Sequence, residues 1–268
     1  SDTTPTFSGT AEPLSRIPIF DGSHEIGRPQ ADPSGNWSFT PLVPLADGPH
    51  TWNTRAVDEA GNYGPYSATR SLQIDTVAPP LPTITTPAAA GKVNQRRPTF
   101  TGGGEPGSTV TVVEGVVTLC TALTNTSGTW SCSSEVDRLD GAHTVGATAN
   151  DQAGNVSSLA VRSFTLDATP PPAPTLTQPL NGLATVAASL VISGHASSLA
   201  VVKIYDDASQ VASVVAAIDG SWSFEIDPID EGDYDFTARE FDDYDNFSVP
   251  SSTSSVRVDR TAPTVSFA

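Results

Sequence analysis

Carboxylates are the most numerous charged side chains of this sequence, with 30 Asp and Glu residues against 13 Lys and Arg. Two groups of them recur three times each along the chain. One group stands directly before segments that contain Pro and consists of Asp75, Asp167 and Asp259. The other opens short turns and consists of Asp58, Asp151 and Asp242. Because Ca²⁺ takes about six to eight oxygen ligands, calcium binding is the first chemical hypothesis.

The sequence shows no recurring group of residues that could carry out covalent catalysis. None of the four histidines stands with a Ser or Cys nucleophile and a group that would orient it. The run 102–107 fits the dinucleotide pattern G-x-G-x-x-G, yet residues 109–113 after it have the pattern of a strand, where that motif needs a helix. We therefore predict no enzymatic activity, no catalytic residues and no cofactor-binding loop.

The charge balance limits the partners. A formal charge of −17 leaves no basic face for nucleic acid and would be repelled by an anionic membrane surface. No apolar run approaches the roughly 20 residues that cross a bilayer. From Asp206 to Asp245 many acids accompany a single Arg, which indicates either a solvated acidic face or extra cation sites. We expect a monomer that binds neither nucleic acid nor membrane.

An internal repeat fixes the spacing of all these residues. Trp37, Trp130 and Trp222 recur at nearly equal intervals, each two residues after a Gly. Pro-Thr-Phe-Ser-Gly at 5–9 has counterparts at 98–102 and 190–194. Asp-Glu-Ala-Gly-Asn at 58–62 and Asp-Thr-Val-Ala-Pro at 75–79 recur in the same register. Four anchors in one register indicate three copies of one unit.

Each copy has the sequence pattern of short strands. Trp222, Phe224 and Ile226 alternate with polar residues, which is typical of a strand with one buried face. The chain holds 23 Pro and 21 Gly, which punctuate turns, and no segment has a clean helical period. The Gly before each repeated Trp is predicted to form a hairpin turn. The repeat period of about 90 residues is enough for one seven-stranded sandwich core.

A second glycine position marks a corner before the sixth strand of each copy. It holds Gly48, Gly141 and Gly232. The aromatic ring two positions later belongs to His50, His143 or Tyr234. A Tyr at this place resembles the tyrosine corner of immunoglobulin-like sandwiches, where the ring binds the backbone upstream.

The repeated segments resemble the bacterial immunoglobulin-like repeats of large surface adhesins and biofilm-associated proteins. The resemblance rests on the Pro-Thr-Phe-Ser-Gly, Gly-Asn-Trp-Ser-Phe, Asp-x-Ala-Gly-Asn and Asp-Thr-x-x-Pro segments and is weaker in the third copy. It implies extracellular stalks that hold a distal adhesive region away from the cell, with Ca²⁺ between domains in some members. We thus expect an all-β fold of three tandem immunoglobulin-like (fibronectin III-like) β-sandwich domains in an elongated head-to-tail array.

The predicted boundaries follow from the Asp-containing ends of the copies. Repeat 1 covers residues 1–75, repeat 2 covers 76–167 and repeat 3 covers 168–259. Residues 260–268 have the pattern of a following repeat or a linker. Repeat 1 begins directly at the strand that carries Phe7, so its first strand is predicted to be truncated or to precede Ser1.

The geometry of a β-sandwich predicts that calcium would bind at the junctions between copies. The last strand of one copy ends opposite the B–C and F–G loops, so in tandem its end meets those loops of the next copy. Asp75, Glu105 and Asp151 should converge at the first junction. The second junction lacks the Glu and gathers Asp167 and Asp242 with its neighbour Asp243, so binding there should be weaker.

Matching half-sites are expected at the two ends of the chain. They consist of Glu12 and Asp58 at one end and Asp259 at the other. The alternative is that these acids only cap their own turns, since Asp before a Gly-Asn turn often binds its own backbone. The sequence leaves both interpretations open.

Cys120 and Cys132 are the two cysteines, and we predict that they form a disulfide. Cys132 occupies the repeat position of Phe39 and Phe224, and a turn lies midway between the two cysteines. An extracellular compartment is oxidising. The alternative is a pair of buried free thiols.

Two classes of function remain from the sequence. The first is a spacer segment of a large bacterial surface adhesin, in contact with neighbouring repeats of the same chain and joined to a host or matrix surface through a region outside this sequence. The second is an accessory region of a secreted hydrolase or phage fibre, or a module that binds a ligand directly. Either implies an extracellular location, on the cell surface or secreted.

Overall fold

A computed structural model describes residues 2–267; Ser1 and Ala268, the outer limits of the predicted segments, lie outside the described residues. Within this range every regular element is a β-strand. The predicted all-β class is therefore confirmed. Among the described residues no helix is long and apolar enough to span a membrane.

The chain divides into two compact units. One takes in the chain through Thr85 together with Thr101–Cys132 and Val145–Val161. The other takes in Thr86–Phe100, Ser133–Thr144 and the chain from Arg162 onward. Repeat 1 lies in the first unit and repeat 3 in the second, whereas repeat 2 contributes to both. The predicted domain boundaries stay a prediction.

Repeat 1 contains two sheets. Its strands are β1 (Phe7–Thr10), β2 (Ile19–Asp21), β3 (His24–Gly27), β4 (Asn36–Phe39), β5 (Gly48–Thr54) and β6 (Arg70–Ile74). The smaller sheet pairs β1 with β4, and the larger has the order β3-β2-β5-β6. Both β1 and β6 are edge strands.

Repeat 2 has the same plan with one additional strand at its start. Its strands are β7 (Gly91–Val93), β8 (Thr99–Gly103), β9 (Thr109–Glu114), β10 (Val117–Leu123), β11 (Thr129–Ser133), β12 (Gly141–Asn150) and β13 (Ala160–Leu166). The sheets have the orders β10-β9-β12-β13-β7 and β11-β8. Residues Thr83 and Thr85 add a further extended segment to β8, through bonds from their amides to the carbonyls of Gly103 and Thr101.

Repeat 3 completes the series. Its strands are β14 (Thr175–Gln178), β15 (Leu183–Thr185), β16 (Leu190–His195), β17 (Val201–Asp206), β18 (Ser209–Val215), β19 (Ser221–Ile226), β20 (Gly232–Phe241) and β21 (Ser254–Val258). The sheets have the orders β14-β16-β19 and β15-β21-β20-β17-β18. Strand β15 runs parallel to β21, as β7 does to β13 in repeat 2.

The core of repeat 3 forms where alternate side chains of facing strands meet. Ile192, Ile204 and Phe236 are fully buried, and Trp222 packs with them. This is the face that the alternation around Trp222 predicts, because side chains of a strand point to opposite sides in turn.

The corner rings behave as their resemblance to the tyrosine corner implies. The Tyr234 hydroxyl donates to the carbonyl of Asp230 at 3.0 Å. His50 Nε2 lies 2.8 Å from the carbonyl of Ala46, and His143 Nε2 lies 2.8 Å from that of Leu139. Each ring therefore ties its strand to the residue four positions upstream, before the corner glycine.

The predicted hairpin turns at the Gly before each Trp are wrong. In repeat 2 the turn at Asn125–Gly128 follows β10 and leads into β11, and these strands belong to different sheets. The corresponding turns of repeats 1 and 3 also connect strands of different sheets. The period of two residues identifies a strand and its buried face but does not say which sheet the next strand joins.

Candidate functional site

The loop that begins at Asp151 is closed by hydrogen bonds to the side chain of its first residue. One carboxylate oxygen of Asp151 accepts from the Asn155 amide at 2.8 Å, and the other accepts from the Asn155 side chain, also at 2.8 Å. Gly154 adopts φ +89°, a conformation that favours glycine. The Asp-x-Ala-Gly-Asn segment thus closes a five-residue loop around its own first side chain.

The Asn155 side chain also leaves its own loop. Its Nδ2 donates to the carbonyl of Asp75 at 3.0 Å and to that of Val77 at 3.2 Å. All these residues belong to the first compact unit. A side-chain amide in the last loop of repeat 2 therefore binds the main chain where repeat 1 ends; we call this contact the amide clamp.

Repeat 3 carries the same clamp within the second compact unit. Asn246 is buried, binds both carboxylate oxygens of Asp242 through its amide and side chain, and donates from Nδ2 to the carbonyl of Asp167 at 2.8 Å. The Tyr244 hydroxyl adds a bond to Thr165 Oγ1 at 3.0 Å.

A second contact holds the same exit segments from the other side. The acid directly before each corner glycine accepts hydrogen bonds from the residues that follow the last strand. Asp47 accepts from the Thr76 amide at 3.0 Å, and Asp140 accepts from the Ala168 amide at 2.9 Å. Glu231 accepts from the Arg260 amide at 2.5 Å. We call this contact the exit staple.

The structure places the predicted calcium ligands of the first junction around one cavity. Asp75, Glu105 and Asp151 all line a depression of about 370 Å³ within the first compact unit. Across residues 2–267, however, no three His, Cys, Asp or Glu side chains form a group that could hold a metal ion. Asp151 is already bound to its own loop, and Asp75 Oδ1 accepts from the Val77 amide at 3.0 Å. Calcium binding there stays a prediction.

The remaining predicted ligands serve mainly as turn caps. Asp167 and Asp259 each accept a bond at 3.0 Å from the amide two residues on. Asp243 lies 3.4 Å from Lys92 Nζ, so a cationic side chain already faces it. Asp58 binds the amide and side chain of Asn62 at 2.7 and 2.8 Å. Glu12 is exposed, and its carbonyl accepts from Ser15.

The loop bonds shift the acidity of the capping carboxylates. Although partial burial opposes the effect, the bonds from Asn155 hold the pKa of Asp151 below its ordinary value. The side-chain and backbone bonds of Asn62 lower the pKa of Asp58 in the same way. A carboxyl with a lowered pKa contributes stability that is lost as the pH falls through that pKa, so acid should open these loops.

The sequence did not reveal the two contacts at the exit segments. In the sequence, Asn155 and Asn246 simply end two of the repeated turns, and an acid precedes each corner glycine. Their recurrence in one register was the available signal. The residue each would bind follows only from how the strands are arranged.

The structure joins Cys120 and Cys132 by a disulfide with the Cα atoms 6.0 Å apart. Cys120 is buried on β10, whereas Cys132 is half-buried on β11. Because β10 and β11 belong to different sheets, the bond links the two sheets of repeat 2.

A family model described as a bacterial Ig-like domain matches residues 1–76 and 86–168, which is more than half of the chain. No curated protein matches the chain.

Several solved structures are similar in fold. Fibronectin(III)-like modules of CbhA from Clostridium thermocellum share 19% identity, covering 70% of this chain and 100% of theirs, with a TM-score of 0.47. The BSP domain of a biofilm associated protein shares 16% identity over 92% of this chain and 57% of its own, with a TM-score of 0.27. The Bacteroides ovatus protein SGBP-B, in complex with a mixed-linkage heptasaccharide, shares 13% identity over 96% and 64%, with a TM-score of 0.25. At these values the likenesses carry no functional information.

Proposed function

Because this chain belongs to the bacterial Ig-like domain family, we propose that it is an extracellular spacer segment of a large bacterial surface adhesin. In this role it holds a distal adhesive region, outside this sequence, away from the cell. It has no catalytic task of its own. Its partners are the neighbouring repeats of the same chain.

The observation that carries the proposal is the pair of contacts at the exit segments after β6 and β13. After β6 the main chain is bound on one side by Asp47 and on the other by Asn155. After β13 the same two roles fall to Asp140 and Asn246. A spacer depends on linkers that do not bend freely, and these bonds restrict the main chain at the linker.

The energetic effect of these contacts is cumulative. A typical hydrogen bond contributes about 0.5–1.5 kcal/mol net to stability. Two or three such bonds therefore offset the conformational entropy lost when the backbone of one linker residue is fixed, which costs roughly 1–2 kcal/mol. The linker Pro residues, among them Pro79, Pro80 and Pro82, restrict the chain further. Together they favour one linker conformation over many.

Distance measurements between spin labels test the amide clamp. Leu42→Cys and Val116→Cys place labels at two fully exposed positions, and the native cysteines are bonded to each other in the structure. We expect a narrow distance distribution that broadens with Asn155→Ala, because the bonds to Asp75 and Val77 are lost.

Asn62→Ala is the matched control for this experiment. It removes the same loop cap from repeat 1, where Asn62 bonds only within its own loop among the described residues. The distribution should keep its width in this variant. If Asn155→Ala leaves the width unchanged, or if both variants broaden it equally, the clamp does not stiffen the linker and the spacer proposal loses its support.

Calcium at the junctions is a further part of this proposal. Asp75, Glu105 and Asp151 would supply the carboxylates at the first junction, and loop carbonyls or water the other oxygens. The effect would add to the amide clamp, which needs no cation. Its test is a comparison of melting temperatures in sodium, calcium and magnesium chloride at matched ionic strength.

A further inference from the structure

In repeats 1 and 3 the larger sheet carries aromatic and cationic side chains on the face that points away from the core. Ala238 on β20 is buried in the core of repeat 3, so its neighbour Arg239 points outward. Ile19 on β2 is buried in repeat 1, so its neighbour Phe20 points outward. Both outward faces lie in the middle of their sheets, since β20 and β2 have a hydrogen-bonded strand on each side.

Arg55, directly after β5, is the centre of this group in repeat 1. Its guanidinium carbon lies 4.0 Å from the ring centroid of Tyr63 and 4.7 Å from that of Tyr66. The rings of Tyr66 and Phe20 are 6.0 Å apart between centroids. Tyr63 and Tyr66 are 58% and 54% exposed, so much of both side chains remains open to a ligand.

Repeat 3 carries a group of the same type around Arg239. Its guanidinium carbon lies 5.4 Å from the ring centroid of Phe247, which is 54% exposed. The ring of Phe241 lies 5.8 Å from that of Phe247 and 3.9 Å from Lys203 Nζ. These side chains surround a depression of about 580 Å³, whose lining includes Tyr205, Asp207, Thr237, Arg239, Phe241 and Phe247.

The two groups occupy equivalent positions of the repeat. Tyr63, Val156 and Phe247 each form an isolated β-bridge to the residue six positions earlier, in repeats 1, 2 and 3 respectively. Arg55 and Arg239 each stand three positions before the Asp that opens the same loop. We call these equivalent residues the ring face, which consists of Phe20, Arg55, Tyr63 and Tyr66 in repeat 1 and of Tyr205, Arg239, Phe247 and Pro250 in repeat 3.

Repeat 2 shows that the fold does not require these side chains. Its residues at the four positions are neither aromatic nor charged, namely Val113, Thr148, Val156 and Leu159. Val156 and Leu159 are 57% and 52% exposed, so these positions lie at the surface there too. The sandwich therefore forms without rings or cations at these places, and the ring face has a use beyond the folding of repeats 1 and 3.

The guanidinium groups of the ring face keep hydrogen-bond donors for a ligand. The chain has 30 Asp and Glu residues, yet within residues 2–267 no carboxylate oxygen lies within 4.0 Å of Arg55 or Arg239. A guanidinium has five N–H donors in one plane. Contact with an aromatic ring holds that plane in place, so its donors are positioned before a ligand arrives.

The chemistry of the ring face fits an uncharged sugar. The C–H face of a pyranose ring packs on an aromatic ring, and its hydroxyl groups both donate and accept hydrogen bonds. In repeat 3 the depression offers the donors of Arg239, the carboxylate of Asp207 and the hydroxyl of Thr237. A polyanion would be repelled by the charge of −17, whereas an uncharged ligand would not.

The position of the ring face argues against an added peptide strand. Strand addition needs main-chain groups at the edge of a sheet. The ring face lies on β2 and β5 in repeat 1 and on β17 and β20 in repeat 3, and all four strands are paired on both sides. The ligand must therefore be bound through side chains.

We propose that the ring face of repeats 1 and 3 binds an uncharged polysaccharide. Sugar rings pack on Tyr63 and Tyr66 in repeat 1 and on Phe247 in repeat 3, while Arg55 and Arg239 donate to sugar hydroxyls. Each repeat forms a separate site of its own, and repeat 2 takes no part. The inference goes beyond the spacer role and does not depend on it.

Affinity electrophoresis of the 268-residue chain tests the proposal. Each native gel contains one uncharged polysaccharide, either dextran, mixed-linkage β-glucan, xyloglucan or galactomannan. The charge of −17 drives the chain through the gel, and binding to the immobile polymer slows it. We expect retardation in at least one of these gels and none in a gel that contains the polyanion alginate.

The test variants take their residues from repeat 2, where the sandwich accepts them. Combining Tyr63→Val, Tyr66→Leu and Phe247→Val should weaken binding at least about tenfold, because both repeats lose the rings on which sugars pack. The matched control is Val156→Ala with Leu159→Ala, which changes the equivalent exposed positions of repeat 2 and should leave retardation unchanged. Thermal melting shows that each variant is folded.

A second variant keeps the rings and removes the donors. Arg55→Thr with Arg239→Thr should also weaken binding, since the sugar hydroxyls lose their guanidinium partners. A native chain that none of the four uncharged polymers retards would overturn the proposal and leave the exposed rings to a protein partner. Retardation that the ring substitutions do not change, or that occurs only with alginate, would overturn it as well.

Discussion

At the scale of single residues, His50 holds the corner of repeat 1 through contacts that also raise its pKa. Its Nδ1 lies 2.5 Å from an oxygen of Asp21, its Nε2 faces the carbonyl of Ala46, and its ring stacks on Trp52 with centroids 5.7 Å apart. The bond to Ala46 and then the one to Asp21 raise the pKa of His50 above its ordinary value. The protonated ring can donate at both nitrogens, which the neutral ring cannot.

This raised pKa predicts that repeat 1 loses stability as the pH rises. The contribution is complete below the ordinary histidine pKa of about 6.5 and disappears as the pH passes the higher folded-state pKa. We expect about 1 kcal/mol or less, as for a pair near the surface. Amide hydrogen exchange of β5 at several pH values measures it, and His50→Gln should remove the dependence. A dependence that survives this change would have another source.

At the scale of elements, the disulfide is the covalent link between the two sheets of repeat 2. Its cysteines are separated by 12 positions, and cross-linking a loop of about this size stabilises by about 3 kcal/mol in the chain-entropy model. Cys120 is buried near Leu119 on β10, so its replacement also alters the core.

We therefore predict that reduction lowers the stability of repeat 2 by about 3 kcal/mol. Denaturant unfolding with and without reductant measures the change, and the unreduced intact mass should be lower by two hydrogens than the reduced mass. The double variant Cys120→Ala, Cys132→Ala should not respond to reductant. An unreduced mass with both thiols free would contradict the bond.

The strands show how far sequence reasoning reaches at this scale. Alternation around Trp222 and the corner at Gly232 were sufficient to predict strands, buried faces and corners, because a two-residue period and a glycine conformation are local properties. The turn before Trp130 resembles a hairpin in sequence but joins strands of different sheets, since sheet membership depends on packing far along the chain. The amide clamp of Asn155 was missed for the same reason: its acceptor, Asp75, is distant in sequence and becomes a neighbour only in the fold.

At the scale of the whole molecule, the charge of −17 sets the response to salt. Net charge of one sign destabilises a compact chain through self-repulsion, which salt screens. Arg and Lys partners are few, so screening by solvent ions has to compensate for most of this repulsion.

We predict that sodium chloride raises the melting temperature. If calcium binds at the junctions, calcium chloride should raise the melting temperature more than sodium chloride does at matched ionic strength. Asp151→Asn should remove this difference between the two salts, because the change keeps the shape of the side chain but removes its charge. Thermal melting in the two salts, with magnesium chloride as the divalent control, makes the comparison. Equal melting temperatures in all three salts at matched ionic strength would contradict the calcium sites.

The parallel pairing of β7 with β13 and of β15 with β21 has a mechanical consequence. When a repeat is pulled by its ends, a strand near its start and the last strand are loaded in shear if they run parallel, so their hydrogen bonds must break together. Repeat 1 shows no such pair among its described strands and should yield at the lowest force. Repeats 2 and 3 should unfold at higher force, and the disulfide should shorten the extension of repeat 2 until reductant releases its loop.

Stretching single molecules measures both the order in which the repeats unfold and their extensions. Forced unfolding reports the unfolding barrier rather than equilibrium stability. Under tension the chain would thus lengthen in steps, with repeat 1 giving way while the later repeats remain folded.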